Sequence, residues 1–195
     1  MAADIFEIIF LAGLFVATII RSYYGSKFRR KDIAHTQKEH PMVLVGMALW
    51  GIALILPFIT IFSSWLTAAD YNIPLPLSIA GTIIFTASLW LLWRSHADLE
   101  INFSPSLLIR NNHVLVSSGV YKRIRHPMYL SFWLWALGQA LLIPNWIAGP
   151  PGLVAFYLIY RFRIEQEEQQ LVHYIGDQYR EYQKVTGRLF PKNLK

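Results

Sequence analysis

The chain contains no cysteine, which removes disulfide scaffolds, zinc–cysteine centres, iron–sulfur clusters and thiol nucleophiles at once. Charge is scarce as well: 15% of the 195 residues are Asp, Glu, Lys or Arg, against about 25% in an ordinary soluble domain. No glycine period and no polar tract occurs, so collagen-like and disordered readings fall. HExxH, GxGxxG and P-loop patterns are missing too. What the chain does have is apolar bulk: 54% hydrophobic residues, seven Trp and a positive mean hydropathy. It reads as a single small membrane domain, too short for two independent cores.

Spans follow from the charge map. One apolar run lies between Asp4 and Arg21, broken only by Glu7, and is read as a span rather than a cleaved signal because acidic residues lead it. Pro41 to Ala69 carries no charge; as one helix it would reach about 44 Å, so it must tilt, bend at Pro57 or protrude. Tyr71 to Trp93 follows the lone Asp70, with Pro74 and Pro76 at its entrance. Pro127 to Tyr160 is uncharged but interrupted by Pro144, Asn145 and Gly149-Pro150-Pro151-Gly152, which predicts a helical hairpin of two short arms. The expected architecture is all-α, a polytopic bundle of about five transmembrane helices.

Every Lys and Arg falls on alternate connections: six in 21–40, five in 94–126 and seven in 161–195, with none in 70–72 or 144–152. The positive-inside rule then puts the N-terminus outside and the C-terminus in the cytoplasm. Tyr23, Tyr24, Trp65, Tyr71, Trp93 and Trp146 stand near predicted span ends, as an aromatic belt does. The net charge of +6 is thus a topological signal with attraction to anionic lipid, and nucleic acid is a poor partner without any binding fingerprint.

Two cytoplasmic segments are long enough for chemistry, 94–126 and 161–195. In the second, Leu171, Tyr174, Ile175, Tyr179 and Tyr182 recur at three-to-four spacing, predicting an amphipathic helix that continues the last span, straight or with a modest bend, and ends near Gly187. Arg163 and Glu167 share a helical face, as do Arg161 and Glu165, and Glu168 lies about 100° further round. Surface ion pairs explain Arg161 and Glu165 well. Arg163 and Glu167 are functional candidates, because ionisable groups at a span end facing a bundle interior mark sites. His126-Pro127-Met128-Tyr129 puts Pro127 in a first helical turn with His126 at the cap, a place that can hold an anion or polar ligand atom or simply mark membrane entry; spacing alone supports both equally. His113-Val114-Leu115-Val116 reads as a short extended segment, and His35, His40 and His96 with Asp98 as solvated groups rather than metal ligands. Gly13 and Ala17 form a small-xxx-small pair suited to helix packing.

Taken in order, His113–Val116, Ser118-Gly119-Val120-Tyr121, Arg125-His126-Pro127-Met128-Tyr129, the apolar hairpin, Arg163, Glu167-Glu168, and Tyr179 with Tyr182 resemble the isoprenylcysteine carboxyl methyltransferase family and its prokaryotic relatives. The likeness covers about residues 106–191; eukaryotic members carry additional N-terminal spans. The resemblance implies an integral-membrane enzyme that uses S-adenosylmethionine, leaves S-adenosylhomocysteine, and has no Rossmann domain. It places cofactor contacts on His113, Val114, Leu115, Val116, Tyr121, His126, Pro127, Met128, Tyr129 and Glu167, with Glu168 as a further contact, and the acceptor carboxylate on Arg163. One methyltransferase domain of 1–195 follows, with three N-terminal spans in 1–93 and the cofactor-binding and catalytic region in 94–195. A lipid-bearing carboxylate would enter from the bilayer, because an isoprenyl chain is costly to extract into water. Two other classes are a phospholipid N-methyltransferase or a sterol-reductase-like NADPH enzyme, and a non-enzymatic membrane scaffold.

Overall fold

A computed structural model describes residues 4–27, 33–36, 38–99, 108–110 and 115–192. Among the described residues six α-helices occur: α1 (Ile5–Ser26), α2 (Pro41–Phe62), α3 (Leu75–Leu99), α4 (Pro127–Leu142), α5 (Pro151–Ile175) and α6 (Asp177–Val185). Proline opens α2, α4 and α5, where its missing N–H and fixed φ suit the first turn. The first three helices are long and apolar enough to cross a membrane. The fourth, with 16 residues, reaches only about 24 Å at the helical rise. The uncharged stretch from Pro41 ends as a helix at Phe62, with Pro57 buried inside it, and continues as turns rather than as one long rod.

The all-helical body carries one addition that periodicity did not predict. Strand β1 (Ile33–Thr36) pairs antiparallel with β2 (Leu108–Arg110) in a two-stranded ribbon. Both runs are only three or four residues long, too short for an alternation to announce them.

Helices α1 and α4 pack on α3, while α2 packs on α5 and α5 on α4. Phe10, Phe85 and Trp135 join α1, α3 and α4, with ring centroids 5.5 Å (Phe10–Phe85) and 4.7 Å (Phe85–Trp135) apart. Val43, Phe156 and Ile159 form a second core between α2 and α5. The backbones of α3 and α4 come close at Gly138, where an added Cβ would lie 3.0 Å from the Phe85 Cα. Gly13 and Ala17 are buried, Gly13 facing Phe85 and Leu89 of α3, so the small-residue pair does pack helices. Buried Gln139 donates to the carbonyls of Ala53 and Ala148, both at 2.8 Å, and accepts from the Trp135 indole, pinning the α4–α5 turn to α2.

The two connections without Lys or Arg meet at one end of the bundle. Asn145 donates to the Leu66 carbonyl and to Asp70 Oδ1, both at 2.7 Å, and the Tyr71 N–H donates to the Pro144 carbonyl. Asp70, the one charge between the second and third apolar runs, thus has a buried amide as its partner.

The C-terminal tail is not one rod. Gly176 adopts φ +72° and ψ −138°, which ends α5 and reorients the chain into α6. The three-to-four spacing runs through this break by coincidence of count: Tyr179 and Tyr182 are buried, whereas Tyr174 is exposed. The second positive-φ glycine, Gly119 at +57°, precedes a 3₁₀ turn (Gly119–Lys122). Asp98 accepts the Val120 N–H there at 2.9 Å, and a Cβ on Gly119 would stand 2.1 Å from Asp98 Oδ2. Gly119→Ala should destabilise the protein by about 1–3 kcal/mol through backbone strain and loss of that clasp. Gly176→Ala, with nothing within 4 Å of its Cβ, carries the strain alone and should cost less. Thermal unfolding of both variants in detergent checks the order.

Candidate active site

The site lies where the entrance of α4 meets the charged half of α5. Because the two helices run antiparallel from the Gly149–Gly152 turn, the first turn of α4 comes level with residues 160–168 of α5. The Tyr129 hydroxyl donates to Glu167 Oε2 at 2.6 Å, and His126 Nδ1 stands 3.9 Å from Glu167 Oε1. Arg163 Nε is 4.0 Å from Glu167 Oε2, one helical turn along the same face. Arg163 and Glu167 therefore do share a face, and that face is turned inward: the Arg163 side chain is 12% exposed. Arg161 and Glu165, by contrast, are exposed and make no ion pair with each other among the described residues.

The site contains a second carboxylate. Glu39, just before α2, lies 3.5 Å from Arg163 Nη2. Nothing in its spacing connects it to residue 163, because it reaches the site only when α2 packs on α5. His40 anchors it there: its ring stacks on Phe162 at 4.8 Å, and its Nδ1 accepts the Met42 N–H at 3.2 Å. Arg21 of α1 is another residue that periodicity leaves unassigned; its guanidinium lies 5.6 Å from the centre of the Phe132 ring.

Glu168 faces a different set of partners. Its Oε1 receives hydrogen bonds from Arg125 Nε at 2.9 Å and His126 Nε2 at 3.1 Å. Its Oε2 receives Arg188 Nε at 3.0 Å and Nη2 at 2.7 Å. The backbone completes the lock, since the Arg125 and His126 N–H groups donate to the carbonyls of Gly187 and Arg188. Glu168 thus ties the start of α4 to the segment after α6, with Arg125 also donating to the Thr186 carbonyl. Burial pushes the Glu168 carboxyl up, but the hydrogen bonds from His126, Arg188 and Arg125 outweigh it and hold the group well below the ordinary carboxylate range. A carboxylate with a depressed folded pKa adds stability that is present above its unfolded value and is lost as pH falls. The difference in melting temperature between wild type and Glu168→Gln should therefore stay constant from pH 6 to 8 and shrink as pH drops below the ordinary value of 4.5.

The remaining candidates fall as follows. Tyr121 is buried; its hydroxyl donates to the Ser95 carbonyl at 3.3 Å, and its own carbonyl accepts the Tyr182 hydroxyl. Burial pushes the Tyr182 hydroxyl up to about 12, so it remains a neutral donor. Pro127 is buried, and Met128 packs against the cluster of Phe10, Phe85 and Trp135. Leu115 and Val116 are half-buried; His113 and Val114 lie outside the described residues, as does the side chain of His35. His96 is not solvated: it is fully buried in α3, its Nδ1 2.8 Å from the Leu92 carbonyl oxygen. The helix supplies the partner of that nitrogen one turn back.

The chain is similar to proteins of known kind. The model of the isoprenylcysteine carboxyl methyltransferase family matches residues 79–173. Protein-S-isoprenylcysteine O-methyltransferase from Rattus norvegicus is 33% identical over 144 residues, covering 68% of this chain and 51% of that protein. The protein of the same name from Homo sapiens is 38% identical over 87 residues, 44% of this chain and 31% of its own length. The solved structure of a eukaryotic intramembrane Ras methyltransferase, an isoprenylcysteine carboxyl methyltransferase, matches with a TM-score of 0.56 at 25% identity, over 80% of this chain and 54% of that one. The chain spans about half or less of the length of these relatives. The matched region contains most of α3, all of α4 and the Arg163–Glu168 face. Over residues 79–173 this multi-pass membrane chain is similar to the isoprenylcysteine carboxyl methyltransferase family.

Proposed function

We propose that the chain transfers a methyl group from S-adenosylmethionine to the carboxylate of an isoprenylcysteine-like or other lipid-bearing acceptor at the cytoplasmic face of a membrane. The observation that carries this reading is the inward Arg163 beside Glu167, with the Tyr129 hydroxyl on Glu167 and His126 next to it. Topology follows the basic connections: N-terminus outside, C-terminus and site inside, with the α4–α5 hairpin returning the chain to the charged side. The whole of 1–195 acts as one unit, the first three helices contributing the lipid-facing wall.

The donor set suits S-adenosylmethionine. Glu167 is 29% exposed and hydrogen-bonded on one oxygen, so its other oxygen can attract a sulfonium or ammonium, and a charge there counts for more than in bulk water. His126, Pro127, Met128 and Tyr129 form the wall at the α4 entrance, and the resemblance adds Tyr121 and His113 to Val116 to the donor contacts. Glu168 holds His126 and Arg125 in place, because both of its oxygens already receive intrachain hydrogens. Bound there, S-adenosylmethionine supplies a methyl on a positively charged sulfur; the carbon–sulfur bond breaks as a carbon–oxygen bond to the acceptor forms, and no proton moves. Arg163 offers a planar fork to the acceptor carboxylate and fixes the attacking oxygen. An ionised carboxylate needs no general base, so the protein's contribution is alignment and exclusion of water.

Purified protein in detergent, given labelled S-adenosylmethionine and S-farnesyl-N-acetylcysteine, should form a base-labile methyl ester. Binding of NADPH with none of S-adenosylhomocysteine by calorimetry would replace this reading with a reductase.

A further inference from the structure

Tyr121, Tyr129 and Tyr182 each commit their hydroxyl to a partner: the Ser95 carbonyl, Glu167 Oε2 and the Tyr121 carbonyl, respectively. Tyr179 does not. Its ring lies 5.9 Å from that of Tyr182, its neighbour on the same face of α6, and the residue is 2% exposed. Its hydroxyl oxygen is enclosed without a hydrogen-bond partner among the described residues. Taking a hydroxyl out of water unpaired is costly, and a phenylalanine would fill the same space without that cost. An enclosed hydroxyl kept at such a place calls for a ligand atom to meet it.

The charges around Tyr179 select which atom. Burial first, then the carboxylates of Glu168 and Glu167, push its hydroxyl up, with Arg125 acting in the opposite sense, so it stays a neutral O–H that can donate. Glu167 is the carboxylate that would attract the ammonium of the methyl donor. Glu168 lies between Arg125 and Arg188, and two guanidinium groups against one carboxylate leave that cluster net positive. In S-adenosylmethionine one carbon bears both the ammonium and a carboxylate, so an ammonium at Glu167 brings an anion beside it. A net positive cluster and an uncommitted O–H suit that anion. We infer that Tyr179 is a donor-binding residue whose hydroxyl donates to the carboxylate at the amino-acid end of the methyl donor, so that the site distinguishes an intact amino-acid end from a decarboxylated one. This rests on the proposed use of S-adenosylmethionine, with Glu167 as the partner of its ammonium.

The test is calorimetry on the full chain in detergent with S-adenosylhomocysteine and with S-adenosyl-3-thiopropylamine, its decarboxylated analogue, which keeps the amine, the thioether and the nucleoside. Wild type should bind the first at least about tenfold more tightly, the usual worth of a hydrogen bond to a charged group. Tyr179→Phe keeps the ring and should unfold at the wild-type temperature or above. It should weaken S-adenosylhomocysteine about tenfold and leave the affinity for the analogue within about twofold. Wild type that binds both compounds equally overturns the inference without any variant. A Tyr179→Phe protein that keeps the wild-type preference overturns it too, whether it weakens both compounds equally, as contact with the nucleoside or a role in folding would, or weakens neither. Wild type that binds neither compound overturns the reading of the methyl donor itself, and the inference with it.

Discussion

Arg163→Ala should lower methyl transfer by about 10²–10³-fold, the usual loss when one preorganised partner of the reacting oxygen is removed. Binding of S-adenosylhomocysteine should persist, because the proposed donor contacts lie on α4, on the segment before it and at Glu167. The loss should appear in kcat/KM for the acceptor rather than in KM for the donor. Arg163→Lys should recover only part of the activity, since an ammonium supplies charge without the planar fork. The variant leaves Glu39 and Glu167, formerly 3.5 Å and 4.0 Å from one guanidinium, facing each other across a partly buried gap. Some loss of stability is therefore expected, and pairing Arg163→Ala with Glu39→Gln should restore stability without restoring transfer. Unchanged turnover in Arg163→Ala would remove the residue from the reaction.

Glu168→Ala should have the largest effect on stability, about 3–5 kcal/mol, the usual cost of deleting one partner of a buried ionic cluster. Two guanidinium groups and His126 converge on this carboxylate, and the Arg125 and Glu168 side chains are 9% and 7% exposed. Removing it leaves two cations together and loosens the junction between residues 124–126 and 187–188. Thermal unfolding in detergent should show the drop, and limited proteolysis should cut the C-terminal segment faster. A loss below about 1 kcal/mol would mean that the cluster is ordinary surface pairing. Activity should fall too, through His126, whose place at the α4 entrance depends on this lock.

Arg163 and Glu167 were legible because helical spacing puts residues four apart on one face whatever the helix packs against. His126 to Tyr129 were legible as a helix entrance for a similar local reason, the proline at the first turn. Glu168, one residue further round the helix, shows the limit. Spacing makes it a neighbour of Glu167, yet its partners Arg125, His126 and Arg188 lie 43, 42 and 20 residues away in the chain. No local pattern distinguishes a ligand contact from a structural anchor there. Glu39 is harder still, because it shares neither helix nor period with Arg163 and meets it only through the packing of α2 on α5.

Membrane character, the order of the apolar helices, the alternation of basic and uncharged connections, and the shared face of Arg163 and Glu167 on α5 are properties of composition and of short-range periodicity, and the linear chain already contains them. The break at Gly176, the β1–β2 ribbon, the burial of His96, the docking of Glu39 on Arg163 and the capture of Glu168 by Arg125, His126 and Arg188 were decided only by the fold. Each depends on contacts between distant segments, whose free energy comes from burial and charge pairing in three dimensions rather than from the identity of the next few residues.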